Sequence, residues 1–387
     1  MAATGPANQA RRCRIRDLGV RVGRFDPGKF NAITDVPGVL VGHETVLHGE
    51  PSGDRVAGIA RTGVTVIYPR SAIWEEHAYA ASFSLNGNGE MSGILWVEES
   101  GLLSTPVALT NTHSVGVVRD AMISYYFARN PDSQVRWMMP VAAETWDGYL
   151  NDINGMHVKA EHVFRALDGA AAGPVIEGAV GGGTGMTCYE FKGGIGTSSR
   201  RVSLGGHEYT LGTLVQTNYG RRYQLTVNGV PVGREISVRE VPGRMDLPPV
   251  ELPPLQRSHE GSIIVVIATD VPLLPDQCKR LARRAGHGLA RVGSFAADSS
   301  GDIFLAFSTG NVIPRDPAPP AGRPFAVSTI DHEAVSILFE AVVESVEESV
   351  LNALCAATTV TGIRGQTAHA LPLDRLKEVL AQYRVSP

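Results

Sequence analysis

The sequence contains few cysteines and no long uncharged apolar run. Its four cysteines are far apart and none belongs to a Cys-X-X-Cys pair, which excludes a redox or zinc motif of that spacing. No segment reaches the roughly 18 apolar residues that span a bilayer, so we expect no membrane partner. Residues 1–17 carry charge without an apolar stretch behind it, unlike a secretory signal. We therefore expect a cytoplasmic location and reduced cysteines.

A basic excess is also missing. The 35 Lys and Arg residues are outnumbered by 39 Asp and Glu residues, the net charge is −4, and the arginines are scattered. Because neutralising a run of phosphates needs a dense cationic surface, we expect no nucleic-acid partner. What the sequence does have is 43% hydrophobic residues over 387 positions, enough for the sizeable core of a globular protein.

Short apolar segments rich in β-branched residues indicate strands. They cover residues 38–42, 64–68 and 262–268, and Gly, Pro or Asp residues bound them. Their apolar residues do not alternate with polar ones, which is typical of strands that are covered on both faces.

Two amphipathic helices are predicted in the last third of the chain. Between residues 275 and 292 the apolar residues recur at helical spacing and include Cys278, which favours a core role for this thiol over nucleophilic chemistry. From 332 to 355 a longer apolar stripe has four glutamates away from it: Glu340, Glu344, Glu347 and Glu348. Strands together with helices that can cover them suggest a layered α/β architecture.

A proline-rich stretch precedes one of the predicted strands. Residues 246–256 hold four prolines in two pairs, a composition that resists helix and central strand and favours exposed extended chain. Five residues later the apolar strand begins at Ser262. A segment of low structural content therefore ends at the Gly261–Ser262 bond, where buried structure is expected to begin.

A serine at this boundary is a candidate nucleophile. Its hydroxyl needs a base, and its own α-amino group, with a reference pKa of about 7.7–8.0, can serve once the chain is cut before it. Gly261 suits such a cut because it lacks a Cβ, so the Ser262 oxygen can approach the Gly261 carbonyl carbon. The alternative interpretation is a polar residue that merely opens a strand.

A second polar cluster, residues 298–302, precedes the apolar strand 303–307. The order strand, helix, strand places Ser300 and Asp302 at a strand end that is either adjacent to Ser262 or opposite to it, and the sequence leaves both directions open. If the ends meet, a hydroxyl and a carboxylate can orient the serine and its amine. An ordinary turn explains the same residues.

Several long segments resemble, in the same order, those of the L-aminopeptidase/D-amidase-esterase family, which includes the β-peptidyl aminopeptidases. The resemblance extends over almost the whole chain and is far more specific than any short pattern. Its segments are 33–46, 86–93, 109–121, 141–155, 178–186, 214–220, 261–294 and 299–311.

The resemblance implies a precursor that cuts itself at Gly261–Ser262. The products are an α chain, 1–261, and a β chain, 262–387, which together form a single domain over 1–387 with an αββα sandwich of the N-terminal-nucleophile type. Ser262 matches the family's nucleophile, and Ser300 and Asp302 match its supporting hydroxyl and acidic residue. In the β-peptide-cleaving members glutamate is expected at the last position, so the shorter side chain of Asp302 departs from that pattern.

The resemblance also assigns substrate-binding groups. Asn218 matches an asparagine whose side-chain amide supports the oxyanion hole. Glu144 matches the carboxylate that receives the free amino group of the substrate, and an aminopeptidase needs such a group because it must recognise an ammonium. Trp146 and Tyr149 follow closely and are predicted to line the pocket. The resemblance implies a homo-oligomer of four processed αβ units, and we expect no cofactor.

Three other motifs are set aside. His43, Glu44 and His48 resemble a zinc-binding helix only superficially, because the histidines are five residues apart rather than four, and no metal site is expected. The Gly-rich segments 86–93 and 178–186 have neither the lysine of a phosphate loop nor the spacing of a dinucleotide fingerprint, so we predict tight turns near the active site.

The sequence therefore predicts hydrolysis of N-terminal amino-acid amides, esters or short peptides, β-peptides among them, through an acyl-enzyme on Ser262. A related self-processing amidohydrolase or acyltransferase that acts on linear amides is the second hypothesis. An inactive binding homologue is the third, and Ser262 argues against it, because an inert relative needs no hydroxyl after Gly261.

Overall fold

The computed structural model describes residues 12–133, 136–244, 261–315, 322 and 324–383. The proline-rich stretch 246–256 lies outside the described residues. The strands are β1 (Leu40–His48), β2 (Ala60–Tyr68), β3 (Glu76–Gly87), β4 (Leu102–Leu103), β5 (Val107–Asn111), β6 (Val141–Thr145), β7 (Thr187–Cys188), β8 (Phe191–Lys192), β9 (Gly194–Leu204), β10 (His207–Tyr219), β11 (Gly261–Thr269), β12 (Gly301–Pro314), β13 (Val360–Thr361) and β14 (Thr367–Ala368).

The helices are α1 (Ile94–Ser100), α2 (Val115–Arg129), α3 (Ala160–Asp168), α4 (Val232–Glu235), α5 (Pro275–Arg291), α6 (Val335–Ala356) and α7 (Leu373–Gln382). The two helices predicted in the last third are therefore present as α5 and α6. The predicted strands 64–68 and 262–268 lie within β2 and β11, whereas 38–42 overlaps only the first three residues of β1. Among the described residues, no helix is long and apolar enough to cross a membrane.

Two larger sheets carry the architecture of the described chain. One has the order β1–β2–β5–β6, and the other has the order β4–β3–β12–β11–β10–β9. Strand β11 runs antiparallel to β10 and parallel to β12. A parallel neighbour needs a crossover connection, and α5 supplies it between β11 and β12.

Alternation along β11 shows how the layers stack. Successive side chains of a strand point to opposite faces of the sheet. Ile263 and Val265 join a core cluster that contains residues of α5 and α6, whereas Ile264 and Val266 join a cluster that contains residues of the four-stranded sheet. All four are fully buried, and each contributes roughly 1.5–3 kcal/mol to stability through burial of its side chain.

A third core cluster covers the outer face of the four-stranded sheet. Val64 and Val66 of β2 pack there with Val118 of α2 and Val163 of α3. The layers therefore follow one another as helices, sheet, sheet and helices, which confirms the predicted αββα sandwich. Cys278 lies fully buried in the cluster beneath α5, as its position on the apolar stripe indicates.

The glutamates of α6 differ from a simple amphipathic pattern. Glu340 is partly exposed, but Glu344, Glu347 and Glu348 are buried. The reason is long-range charge pairing: Arg200 of β9, itself fully buried, donates to Glu344 at 3.0 Å and to Glu348 at 2.8 Å. Helical spacing alone could not predict these partners, because they come from distant parts of the chain.

Candidate active site

Ser262 occupies the second position of β11, between two strands whose ends carry the other predicted residues. It faces Asn218 of β10 in the antiparallel register and Gly301 of β12 in the parallel register. Its side chain is 6% exposed, and its Oγ accepts a hydrogen bond of 3.1 Å from the Gly301 N–H. Of the two strand directions that the sequence leaves open, the structure has the adjacent one.

Gly261 adopts a conformation that a side chain would not tolerate. Its φ is +85°, in the left-handed region, and a Cβ built on it would lie 1.6 Å from the carbonyl oxygen of Asn218. The peptide that precedes Ser262 is therefore packed directly against β10. This close approach depends on glycine at position 261.

Ser300 and Asp302 form a hydrogen-bonded pair beside Ser262. Ser300 Oγ donates to Asp302 Oδ1 at 2.6 Å, and Asn86 Nδ2 donates to Asp302 Oδ2 at 3.3 Å. Burial raises the pKa of Asp302 to about 6, although the hydrogen bonds from Ser300 and Asn86 oppose that shift. Neither side chain of the pair hydrogen-bonds to Ser262 Oγ; the link between them is the N–H of Gly301.

The Asn218 amide is held at both ends. Its Nδ2 donates to the carbonyl oxygen of Trp146 at 2.7 Å, and its Oδ1 accepts from the Thr187 N–H at 2.9 Å. A primary amide has two N–H donors, so one donor on Nδ2 remains beyond the bond to Trp146. Since Asn218 lies directly opposite Ser262, that donor belongs to the immediate surroundings of the serine.

Glu144 lies near the end of β6 and is almost fully buried. Its Oε1 accepts from the Glu90 N–H at 2.9 Å, and its Oε2 accepts from the Thr112 hydroxyl. Burial raises the pKa of this carboxyl, and these two hydrogen bonds oppose the shift. A Cβ placed on Gly89 would lie 3.2 Å from both Glu144 Oε1 and Gly301 Cα. Gly89 therefore separates the Glu144 carboxylate from the start of β12, which lies beside Ser262.

Trp146 and Tyr149 differ in accessibility. Trp146 is 36% exposed, whereas Tyr149 is 4% exposed and packs in a small core cluster with Leu150. The Arg244 guanidinium lies over both rings, 5.4 Å from the Trp146 centroid and 5.1 Å from the Tyr149 centroid. Of the two, Trp146 is therefore the aromatic side chain that offers surface to a substrate.

The Gly-rich segment 86–93 contributes contacts that sequence reasoning did not assign. Asn86 bonds Asp302 and the Glu90 N–H bonds Glu144, so one segment touches both predicted carboxylates. The sequence predicts a tight turn near the site here, but a backbone N–H leaves no trace in the residue types. Thr187 contacts Asn218 Oδ1 through its backbone N–H at 2.9 Å and, at a longer distance of 3.5 Å, through its hydroxyl.

The histidines of β1 hold no metal site. Among the described residues, no group of three or more His, Cys, Asp or Glu side chains is placed to hold a metal ion. His43 is instead partly buried with its Nδ1 2.9 Å from Thr65 Oγ1, and desolvation of the ring lowers its pKa to about 4.

Comparison with known proteins gives a consistent result. The sequence model described as peptidase family S58 matches residues 31–368. The chain is 46% identical over 373 residues to the beta-peptidyl aminopeptidase BapA of Sphingosinicella microcystinivorans, covering 96% of this chain and 92% of that protein. It is 44% identical over 370 residues to BapA of Sphingosinicella xenopeptidilytica, covering 95% and 90%.

Solved structures are similar over nearly the whole chain. A beta-aminopeptidase from Burkholderia sp. superposes with a TM-score of 0.85 at 50% identity, covering 97% of this chain and 100% of that one. The L-aminopeptidase D-Ala-esterase/amidase from Ochrobactrum anthropi, described as a prototype for the serine aminopeptidases and a variant of the Ntn hydrolase fold, gives 0.85 at 43% identity, with 97% and 99% coverage. With this fold and these matches, the chain belongs to peptidase family S58.

Proposed function

We propose that this chain is a self-processing serine aminopeptidase. Ser262 first cleaves the Gly261–Ser262 peptide bond and then acts as the catalytic nucleophile. The observation that carries the proposal is the Gly261 peptide, which has a positive φ that suits glycine and is packed on β10 directly before a serine whose Oγ is held by the Gly301 N–H. The residues that surround this serine supply the other groups that the chemistry needs.

The proposed maturation is an N-to-O acyl shift. Ser262 Oγ attacks the Gly261 carbonyl carbon, the C–N bond breaks, and the serine nitrogen takes up the proton that Oγ loses. Water then hydrolyses the ester, which leaves a carboxylate on Gly261 and restores the Ser262 hydroxyl. The products are chains of 1–261 and 262–387, and the second begins with a free α-amine.

The proposed turnover uses that amine as the general base. It accepts the Ser262 Oγ proton as Oγ attacks the scissile carbonyl, and the proton then passes to the leaving amine or alcohol. The remaining N–H of Asn218 stabilises the oxyanion, a contribution typically worth about 10² to 10³ in kcat. Ser300 and Asp302 assist proton movement at the serine, and water finally hydrolyses the acyl-enzyme.

Glu144 is the proposed site for the substrate ammonium. Its carboxylate is buried and both oxygens already accept a hydrogen bond, yet each keeps a further lone pair for a charged donor. An ammonium held there fixes the distance from the amino terminus to Ser262, and Trp146 offers an apolar wall. Because the relatives at 46% and 44% identity are named beta-peptidyl aminopeptidases, we propose β-amino-acyl amides and short β-peptides among the substrates.

Assembly into a homo-oligomer of processed αβ units, four by family resemblance, belongs to the same proposal. An exposed apolar surface supports it: Leu95, Trp137 and Met139 are 85%, 58% and 48% exposed, and Trp137 packs edge to face on Trp96. Contiguous exposed apolar residues are typical of interaction surfaces. Light scattering of the matured protein measures the number of units.

Denaturing electrophoresis and intact mass measurement test the proposed maturation. Freshly purified protein should give two chains that meet at 261 and 262, and Ser262→Ala should give one uncut chain without turnover. Activity in a preparation whose residues 261 and 262 are still joined would refute the α-amine as base. Rates against L-, D- and β-amino-acid p-nitroanilides then define the substrate preference, and acetylation of the substrate amine should abolish hydrolysis.

A further inference from the structure

Lys192 is a lysine without contact to solvent. It lies at the end of β8, is fully buried, and donates from Nζ to the carbonyl oxygens of Gly183 at 3.0 Å, Met186 at 2.6 Å and Gly193 at 2.8 Å. Three acceptors match the three donors of an ammonium. Burial disfavours the charged form and lowers the pKa of Lys192 to about 7, whereas the three carbonyl acceptors favour the ammonium. A buried amine held in this way calls for a role beyond stability.

One of these bonds acts on the peptide that contacts Asn218. The Met186 carbonyl and the Thr187 N–H belong to the same peptide unit, and in a trans peptide they point in opposite directions. The carbonyl accepts from Lys192 on one side, and the N–H donates to Asn218 Oδ1 at 2.9 Å on the other. The cation therefore fixes the plane of this peptide and polarises its N–H toward the Asn218 amide.

The hairpin between Thr187 and Lys192 is itself strained. Its turn residues, Tyr189 and Glu190, have φ of +51° and +61°, a conformation that costs a residue with a side chain roughly 1–2 kcal/mol. Arg222 holds the turn by donating to both of their carbonyl oxygens, at 3.1 Å and 3.0 Å. Strain that persists under such restraint is typical of functional segments.

The same hairpin is tied to the strand that carries Asn218. The Tyr189 N–H donates at 2.7 Å to the carbonyl oxygen of Tyr219, the residue that follows Asn218 in β10. The amide of Asn218 has one favourable orientation, because a flipped amide would place its oxygen against the Trp146 carbonyl oxygen and its nitrogen against the Thr187 N–H. Nδ2 therefore stays on the Trp146 side, and its second N–H remains available as a donor.

We infer that Lys192 is a positioning residue that acts on Asn218 through the Thr187 peptide. It touches no reacting atom; it holds the donor of the oxyanion hole in the orientation that catalysis requires. The inference rests on the proposed function of Asn218 in turnover. It predicts that the two side chains contribute to one and the same catalytic effect.

A double-mutant cycle on the matured full chain tests this coupling. Lys192→Met keeps the unbranched side chain but removes the ammonium, and kcat should fall about 10- to 100-fold while KM changes less than about threefold, because an oxyanion donor acts in the transition state. Asn218→Ala should cost about 10² to 10³ in kcat. The double variant should be no slower than Asn218→Ala alone. Lys279→Met, which removes a lysine on the exposed side of α5, is the matched control and should leave kcat unchanged.

Additive losses would overturn the inference, because they would mean that Lys192 affects the enzyme independently of Asn218. A second measurement covers the case in which Lys192→Met fails to mature. In the uncut Ser262→Ala chain labelled with ¹⁵N-asparagine, the Asn218 side-chain signal is assigned by its loss in Asn218→Ala. Adding Lys192→Met should shift or broaden that signal, and an unchanged signal would equally overturn the inference.

The two proposals fail in different ways. If the wild type hydrolyses no amide, or if Ser262→Ala remains active, the proposed function is wrong. The amide signal of Asn218 in the uncut chain does not depend on that result, so it reports on the action of Lys192 by itself.

Discussion

Ser300 Oγ donates a 2.6 Å hydrogen bond to Asp302 Oδ1, and the Gly301 N–H between these two residues holds Ser262 Oγ. The shorter side chain of aspartate therefore does reach the supporting hydroxyl. Because Gly301 links the pair to the serine, we expect a change in the charge of Asp302 to alter the reactivity of Ser262 Oγ.

Protonation of Asp302 should make kcat fall at acid pH. Burial raises the pKa of Asp302 to about 6, so the carboxylate predominates above that pH and the neutral acid below it. We expect kcat to rise with pH through about 6 and again near 8, where a free α-amine loses its proton. In Asp302→Asn the limb near 6 should vanish while the limb near 8 remains. A pH–kcat profile of both proteins makes the comparison, and an unchanged lower limb would exclude Asp302 as its origin.

Gly261→Ala should block self-cleavage. The added Cβ meets the Asn218 carbonyl oxygen at 1.6 Å and must displace the peptide that Ser262 is proposed to attack. The expected result is one uncut chain on a denaturing gel over a time in which the wild type is fully split.

Gly229→Ala is the control for Gly261→Ala. Gly229 also has a positive φ, +79°, but its Cβ position is open, so the variant carries the backbone strain without the clash. It should mature normally. Cleavage of Gly261→Ala at the wild-type rate would show that the close approach to β10 is not needed for processing.

The local pattern of the sequence was enough to predict β11, α5 and the core position of Cys278. Each depends on apolar spacing within one segment, and a layered α/β architecture follows because such strands must be covered on both faces. The αββα sandwich was implied by the family resemblance. Local context also made Ser262, Ser300 and Asp302 candidates, and the segment resemblance gave them roles and added Asn218, Glu144, Trp146 and Tyr149. Sequence could not choose the strand direction, which the parallel register of Ser262 with Gly301 supplies.

The other contacts of the site are non-local or come from the backbone. Glu90 acts on Glu144 through its N–H, which any residue except proline provides, so its identity carries no signal. The shorter contact of Thr187 with Asn218 is likewise made by its N–H, at 2.9 Å against 3.5 Å for its hydroxyl. Lys192 lies between Phe191 and Gly193, and nothing in this local sequence indicates that its ammonium is buried. Its three carbonyl partners exist only once the chain has folded around it.

Glu144→Gln should weaken recognition of a free amino terminus. The amide retains the shape of the side chain but loses the negative charge that attracts an ammonium. Its oxygen can still accept from the Glu90 N–H while its NH2 group, in place of Oε2, donates to the Thr112 hydroxyl. We expect kcat/KM for amino-acid p-nitroanilides to fall about 10- to 100-fold, with most of the loss in KM. Glu161→Gln, an exposed residue on α3, should behave as the wild type.

Hydroxyacyl analogues that lack the amine sharpen this test. If Glu144 binds the ammonium, the wild type and Glu144→Gln should differ much less on such substrates than on amino-acid substrates. An equal loss on both would mean that Glu144 supports the site structurally instead of binding the amine.

Arg200→Met should destabilise the uncut Ser262→Ala chain strongly. Arg200 is fully buried between Glu344 and Glu348, and removing it leaves Glu344 without its buried cation and Glu348 with Arg16 alone, which costs about 3–5 kcal/mol in the free energy of unfolding. Although burial disfavours the charged carboxylate, the hydrogen bond from Arg16 and the charge of Arg200 keep the pKa of Glu348 below its usual value. A lowered carboxyl pKa stabilises the fold above the unfolded-state pKa, and removing Arg200 takes away part of that stabilisation. The loss should therefore be larger at pH 7 than at pH 3, which separates the effect of charge from that of packing.

Arg24→Met tests an ion pair on the same helix in a different setting. Arg24 pairs with Glu340 at 2.7 Å, but both side chains are about half exposed, and exposed pairs contribute little because water screens them. Urea unfolding of the Ser262→Ala parent and this variant should coincide, while the Arg200→Met transition moves to lower urea. If both arginine variants unfolded together, the buried carboxylates of α6 would not depend on Arg200 for their place in the core.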